Sequence, residues 1–383
     1  MKQGWEIAEF ENCLDKVTYT NKIQRKDFKE EGFYPIVSQE KDFINGYWDN
    51  EDDLFRVEKP VVIFGDHTQI IKFVDFDFVL GADGVKILKP QDKINPKYLY
   101  YFLQNVDLGS LGYARHYRLL KEINVAYPKS LPEQQRIVSI LDEAFAAIAK
   151  AKANAEQNLK NAKELFESYL QGVFENGNWG FVKLSEMATD ISDGDHMPPP
   201  KSEFGLPFIT ISNINKQTHK IDFSDTFKVP QKYYDGLKPN KKPINGDVLY
   251  TVTGSYGIPV LIEDDFKFCF QRHIGLIRPS KKLNSKLLYY WILSPQAFLQ
   301  ANETATGTAQ KTVSLKSLRN FSFPNIPINQ QQAIVRQLDS LQAETKRLEA
   351  IYQQKLLNLE ELKKSVLQKA FAGELKFENV PVL

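Results

Sequence analysis

The feature that most constrains this chain is an internal repeat. Displaced by 197 positions, residues 133–174 align with 330–371 without a gap, and 17 of the 42 pairs are identical. They include Gln134/Gln331, Gln135/Gln332, Ile137/Ile334, Val138/Val335, Leu141/Leu338 and Asp142/Asp339. Further along come Leu159/Leu356, Leu165/Leu362, Leu170/Leu367 and Phe174/Phe371. Shared composition does not hold register over that length, so the chain is a duplicated unit.

Both copies read as long helices. Neither contains Pro or Gly between 136 and 171 or between 333 and 372, and both are rich in Ala, Leu, Lys, Glu and Gln. In the second copy Leu341, Thr345, Leu348, Tyr352, Lys355, Leu359, Leu362 and Val366 step by alternating four and three, a heptad seam. The first-copy equivalents are Ala144, Ile148, Ala151, Ala155, Asn158, Ala162, Leu165 and Tyr169. A mostly small seam facing a mostly large one suits close interdigitation. The expected arrangement is therefore an antiparallel coiled coil within one chain, with pseudo-twofold symmetry. The alternative is that each helix packs on its own globular module. Asn158 and Lys355 are expected to fix the register as polar core steps. Gly373 is the expected stop of the second helix, and Gly172 and Gly177 of the first.

A module precedes each helix. The divisions are 1–130, helix 131–177, 178–325, and helix with tail 326–383. In the first module strand-like runs fall at Lys59–Phe64, Ile70–Val74 and Gly84–Leu88, and in the second at Pro207–Ile211, Asp247–Val252 and Ile274–Arg278. Short helices follow at Asn95–Leu103 and Asn284–Ile292, with Tyr100-Tyr101 and Tyr289-Tyr290 read as core by their spacing. Strands and helices mixed in this way give an α+β class.

The segment Leu131-Pro132-Glu133-Gln134-Gln135-Arg136-Ile137-Val138 resembles the opening of the helix in specificity subunits of type I restriction-modification enzymes. Ile326–Val335 is similar to a second occurrence, with Gln330 where Glu133 stands in the first. Leu367–Leu375 resembles the close of such chains, and Phe64-Gly65-Asp66-His67-Thr68 a segment of their target recognition domains. The resemblance implies two target recognition domains in tandem, each reading half of a split, asymmetric site on double-stranded DNA. The helices would set the distance between the halves. It further implies two modification (methyltransferase) subunits carrying S-adenosylmethionine for adenine methylation. Restriction (motor-nuclease) subunits using ATP and Mg²⁺ are the further partners. The chain itself would hold no cofactor or metal and do no chemistry.

The residues agree with that non-catalytic reading. There is no G-x-x-x-x-G-K-[ST] loop, no Asn/Asp-Pro-Pro-Tyr/Phe segment for a flipped base, and no metal-ligand spacing among the five histidines. Cys13 and Cys269 stand apart and are expected to be inert thiols. No apolar run is long enough to span a bilayer, and the start lacks a signal-peptide core, so a cytoplasmic location is expected, without membrane association. The near-neutral net charge of +1 gives little support to nonspecific DNA binding. A DNA-binding scaffold of another defence system and a two-module nuclease stay open as alternatives.

The candidate DNA contacts of the first module are Gly65, Asp66, His67 and Thr68 after a strand, and the basic-aromatic cluster Arg115, His116, Tyr117, Arg118 and Lys121. In the second they are Thr306, Gly307, Thr308, Gln310 and Lys311, with Gln310 suited to adenine and Lys311 to phosphate. Thr253, Gly254, Ser255 and Tyr256 follow a strand as Gly65–Thr68 does, and Ser192–His196 is a weaker candidate.

Overall fold

The computed structural model describes residues 3–81, 84–109, 112, 114–177 and 179–375. Tyr113 and the tail 376–383 lie outside the described residues. The chain divides into two compact units, Met1–Gln157 with Gln353–Leu383, and Asn158–Tyr352. Each long helix runs through both.

In the first unit a four-stranded antiparallel sheet has the order Leu14–Asp15, Val85–Pro90, Val61–Gly65, Ile71–Val74. The second unit repeats it as Ala188–Asp193, Ile274–Pro279, Val248–Thr251, Pro259–Leu261. The three strand runs read from sequence in the first module lie in its sheet. In the second, Asp247–Val252 and Ile274–Arg278 do so, and Pro207–Ile211 lies in a smaller sheet. Each unit has such a second sheet, of five strands in the first unit and three in the second, in which Tyr34–Val37 runs parallel to Phe78–Gly81, and Leu206–Ile209 parallel to Cys269–Phe270. A terminal ribbon closes each module: Trp5–Glu9 with Asn124–Pro128, and Phe181–Lys183 with Ser322–Pro324.

The long helices are Leu131–Glu175 and Ile328–Phe371, each about 65 Å long at about 1.5 Å per residue. They pack against each other and run antiparallel. In the first unit Ile137, Val138, Leu141 and Ala144 share a core with Val366, Leu367 and Ala370. In the second, Leu170 and Phe174 share one with Val335 and Leu338. Each core also holds its own module's short helix, Pro96–Asn105 or Ser285–Ile292. The two packing readings therefore combine: a long helix starts on its own module and lies along the end of the other helix.

Three expectations are corrected. Asn158 and Lys355 are exposed, and the half-buried positions beside them are Leu159 and Leu356. Leu165 and Tyr169 also point outward, while Phe166, Leu170 and Phe174 turn inward. A straight helix has 3.6 residues per turn and slips about 20° per heptad against a strict 3.5 repeat, so the buried stripe leaves the extrapolated seam. Tyr169 keeps a hydrogen bond to Gln337 Oε1 at 3.1 Å. Third, the first helix passes through Gly172, whereas Gly373, with φ +71°, stands two residues past the second helix's end at Phe371, as expected.

The identical Gln and Asp residues have a physical role. Gln134 and Gln331 are fully buried. Gln134 Oε1 accepts from Asn95 N at 2.7 Å, and its Nε2 donates to Lys93 O at 2.9 Å and Pro128 O at 2.8 Å. Gln331 does the same with Asn284 N at 2.7 Å, and Lys282 O and Ile326 O at 2.8 Å each. Asn95 and Asn284 cap the short helices through their side-chain oxygens. Asp142 then takes Tyr101 OH and Lys97 (2.8 Å), as Asp339 takes Tyr290 OH and Lys286 (2.9 Å). Each long helix is thus latched to the module before it by the same five-residue chemistry.

Candidate nucleic-acid interface

In the first module, two segments separated by about fifty residues in sequence meet at the end of strand Val61–Gly65. Asp66, 2% exposed, donates its backbone N–H to Gly84 O at 2.7 Å. Its carbonyl accepts from His116 N at 2.7 Å, and its carboxylate from Tyr117 N at 2.8 Å, the first residue of the helix Tyr117–Lys121. His116 is also 2% exposed, with Nδ1 at 3.1 Å from Asp66 O. Asp66 and His116 therefore hold the two segments together. A buried turn carboxylate that satisfies a helix's first free N–H group is a scaffold element.

Gly65 is buried as well, and a Cβ there would fall 2.3 Å from Thr68 Oγ1. Thr68 is exposed, but its hydroxyl donates to Gln39 O at 2.7 Å, and His67 N donates to Gln39 Oε1 at 3.2 Å. The groups left facing outward are Arg115 and Arg118, both exposed. Lys121 is exposed but ion-paired with Glu11 at 2.6 Å, which holds its ammonium pKa above the usual lysine value. Tyr117 is half-buried, with the Lys86 and Lys121 ammoniums 5.2 and 5.6 Å from its ring centre.

The second module assembles the same edge from different residues. Gly254 N donates to Lys311 O at 2.9 Å, and Val313 N to Val252 O at 2.8 Å. Thr306 and Thr312 pair as a narrow hairpin, closed by 3.0 and 2.8 Å backbone bonds. Gly307 sits at its tip with φ +107°, where a Cβ would fall 2.4 Å from Gln310 O. Thr306, Gly307, Thr308, Gln310 and Lys311 are exposed. Thr253 is buried and receives the Thr312 hydroxyl at 3.3 Å, Ser255 O accepts from the Thr251 hydroxyl at 2.7 Å, and Tyr256 stacks on Phe298.

A cleft of about 420 Å³ lies beside this hairpin, lined among others by Asp193, His196, Arg272, His273, Gln310 and Thr312. His196 Nε2 lies 2.8 Å from Asp193, so the weaker candidate segment does join the edge. Arg272, His273, Lys86 and Gln39 were not identified from sequence. Arg272-His273 satisfies the criterion that singled out Arg115–Arg118, a basic pair beside a strand end. Gln39 follows a strand, Tyr34–Val37, that has no clear alternation.

Among the described residues no group of three or more His, Cys, Asp or Glu is placed to hold a metal ion, and no helix is long and apolar enough to cross a membrane. Cys13 and Cys269 are buried, and burial pushes their thiols up to about 11 and about 12, which leaves them un-ionised and poorly nucleophilic near neutral pH.

Comparison with known proteins gives a consistent result. A family model described as "Type I restriction modification DNA specificity domain" matches residues 3–160 and again 176–358. The specificity subunit of the type I restriction enzyme EcoR124I/EcoR124II from Escherichia coli is 26% identical over 349 residues, covering 83% of this chain and 81% of that protein. The MjaVIII specificity subunit of Methanocaldococcus jannaschii is 22% identical, covering 99% and 94%. Among solved structures, the HsdS subunit from Thermoanaerobacter tengcongensis shares the fold, with TM-score 0.60, 19% identity and 98% of each chain covered. A chain from a study of complex assembly and conformational transition in a type I R-M system matches with TM-score 0.72, 18% identity and 98% and 99% covered.

Proposed function

Since the chain belongs to the type I restriction-modification DNA specificity family and is the non-catalytic DNA specificity subunit of such a system, we propose that its modules 1–130 and 178–325 are target recognition domains. Each reads one half of a bipartite, asymmetric site. The observation that carries this reading is the duplicated edge. The same scaffold presents Arg115 and Arg118 in one module, and Gln310, Lys311 and Arg272 in the other. Arg pairs bidentately with guanine and Gln with adenine, so equal scaffolds with unequal tips recognise different half-sites. Lys86, Lys311 and the exposed threonines serve phosphate contacts that fix position without reading sequence.

The partners in this reading are two modification subunits bringing S-adenosylmethionine for adenine methylation. Restriction subunits using ATP and Mg²⁺ would complete the nuclease form. The long helices separate the two readers.

Methylome sequencing of a host carrying the gene tests the reading. The expected result is a motif of two specified halves around an unspecified gap, with N6-methyladenine in both. Arg115→Ala should relax one half only, and Gln310→Ala only the other. Each would lose about 1–3 kcal/mol of discrimination at a single base pair. An uninterrupted palindrome, or one variant relaxing both halves, would sink the two-reader assignment.

A further inference from the structure

The two most exposed large hydrophobic residues among the described ones are Phe33, 83% exposed, and Phe204, 79%. Single surface hydrophobes are ordinary. This pair is not, because both occupy one topological position in modules that otherwise share few residues. Phe33 immediately precedes strand Tyr34–Val37, and Phe204 stands two residues before Leu206–Ile209. These are the strands that pair in parallel with Phe78–Gly81 and Cys269–Phe270.

Both phenylalanines adjoin a glycine that the packing requires. A Cβ on Gly32 would lie 2.9 Å from Asp49 Oδ1 and 3.0 Å from Tyr47 Cβ. On Gly205, at φ +130°, it would lie 2.0 Å from Val229 O. Both loops are also tied down. Phe33 N donates to Asp49 Oδ1 at 3.2 Å, and Asp49 is ion-paired with Lys29 at 2.6 Å. Phe204 N donates to Ser202 Oγ at 3.3 Å, and Ser202 N to Lys228 O at 2.9 Å. The rings are therefore presented on held loops.

Their place in the strand separates them from the reading edge. Strand Tyr34–Val37 leads to Gln39, which bonds Thr68 and His67. Phe33 stands at the opposite end, on the order of 20 Å away along extended chain. Strand Leu206–Ile209 likewise leads toward Gln271, whose N–H donates to Ile209 O at 3.0 Å beside Arg272. The loop around Phe33 carries Glu30 and Glu31, which repel phosphate, and Asp49, whose charge is paired with Lys29.

We propose that Phe33 and Phe204 are anchor residues for a protein partner present twice, the modification subunit, each ring filling one apolar pocket on one copy. An asymmetric DNA site offers two different surfaces, whereas two copies of one subunit offer the same pocket to the same position in each module. The proposal rests on the two-modification-subunit reading above.

The test uses the full chain with its cognate modification subunit, followed by native mass spectrometry and titration. For Phe33→Ala and Phe204→Ala, each should weaken one modification subunit by about 30-fold, a hot-spot loss, and the double variant both. Thermal unfolding of the free chain should stay unchanged, because both rings are largely exposed. If wild type assembles with two subunits and the double variant assembles equally well, the inference alone fails. It also fails if the double variant loses DNA affinity with assembly intact, which would make the rings DNA wedges. If wild type recruits no modification subunit, the underlying reading fails with it.

Discussion

Replacing Gln134 by Ala is expected to destabilise the first unit by about 3 kcal/mol, and Gln331→Ala the second by a similar amount. Each side chain is fully buried and makes three hydrogen bonds to backbone groups, all of them part-buried or buried. Truncation leaves those groups without these partners, at a cost of about 1–3 kcal/mol each before relaxation. The measurement is urea unfolding. A loss of this size moves the midpoint by about 1 M for a slope of roughly 2–3 kcal/mol/M. Gln135→Ala serves as the comparison, since Gln135 is exposed and makes a single bond to Asn95 Nδ2 at 2.8 Å. It is expected to cost under about 1 kcal/mol. The two latches share no partners, so the double variant should show their sum to within about 0.5 kcal/mol. A Gln134→Ala protein that unfolds at the wild-type midpoint would show that the latch is dispensable, and the repeated glutamines would need another cause.

The latch also shows where sequence reasoning reached its limit. Ungapped identity at Gln134/Gln331 and Asp142/Asp339 marked these positions as shared, but helical pattern alone gives no reason for a polar residue there. The reason is tertiary. Asn95 and Asn284 arrive from a helix some forty residues earlier in sequence, and no local period encodes that meeting. Central strands such as Val61–Gly65 are legible because the run Val61-Val62-Ile63-Phe64 is apolar throughout and buried on both faces. Tyr34–Val37 and Leu14–Asp15 are short, with no clear pattern to identify them. Within the candidate loops, sequence does not separate residues that tie the loops together from residues that face outward. Asp66 and Arg115 look equally suited to a ligand in a one-dimensional reading. Burial alone separates the carboxylate that caps a helix from the guanidinium that faces outward.

Inserting one heptad into both helices, within 144–169 and 341–366, is expected to widen the unspecified gap of the recognised motif by about three base pairs. Seven residues add about 10.5 Å of helix, and base pairs stack at about 3.4 Å. A heptad turns the helix through almost two full turns, so each buried stripe keeps its face to within about 20°. The buried seam positions, Ala144, Ile148, Ala155 and Ala162 on one helix and Thr345, Leu359 and Val366 on the other, should therefore be buried again. Three base pairs also turn the second half-site by roughly 100° around the duplex, given 10–10.5 base pairs per turn. Affinity should fall even as the gap lengthens, because one reader must twist to follow its groove. A two-residue insertion in both helices is the informative contrast. It rotates the stripes by about 200°, exposes the seam, and is expected to abolish methylation rather than shift the gap. Methylome sequencing of hosts carrying each variant separates the outcomes. A heptad variant that methylates the wild-type motif with an unchanged gap would show that the helices join the readers without setting their distance.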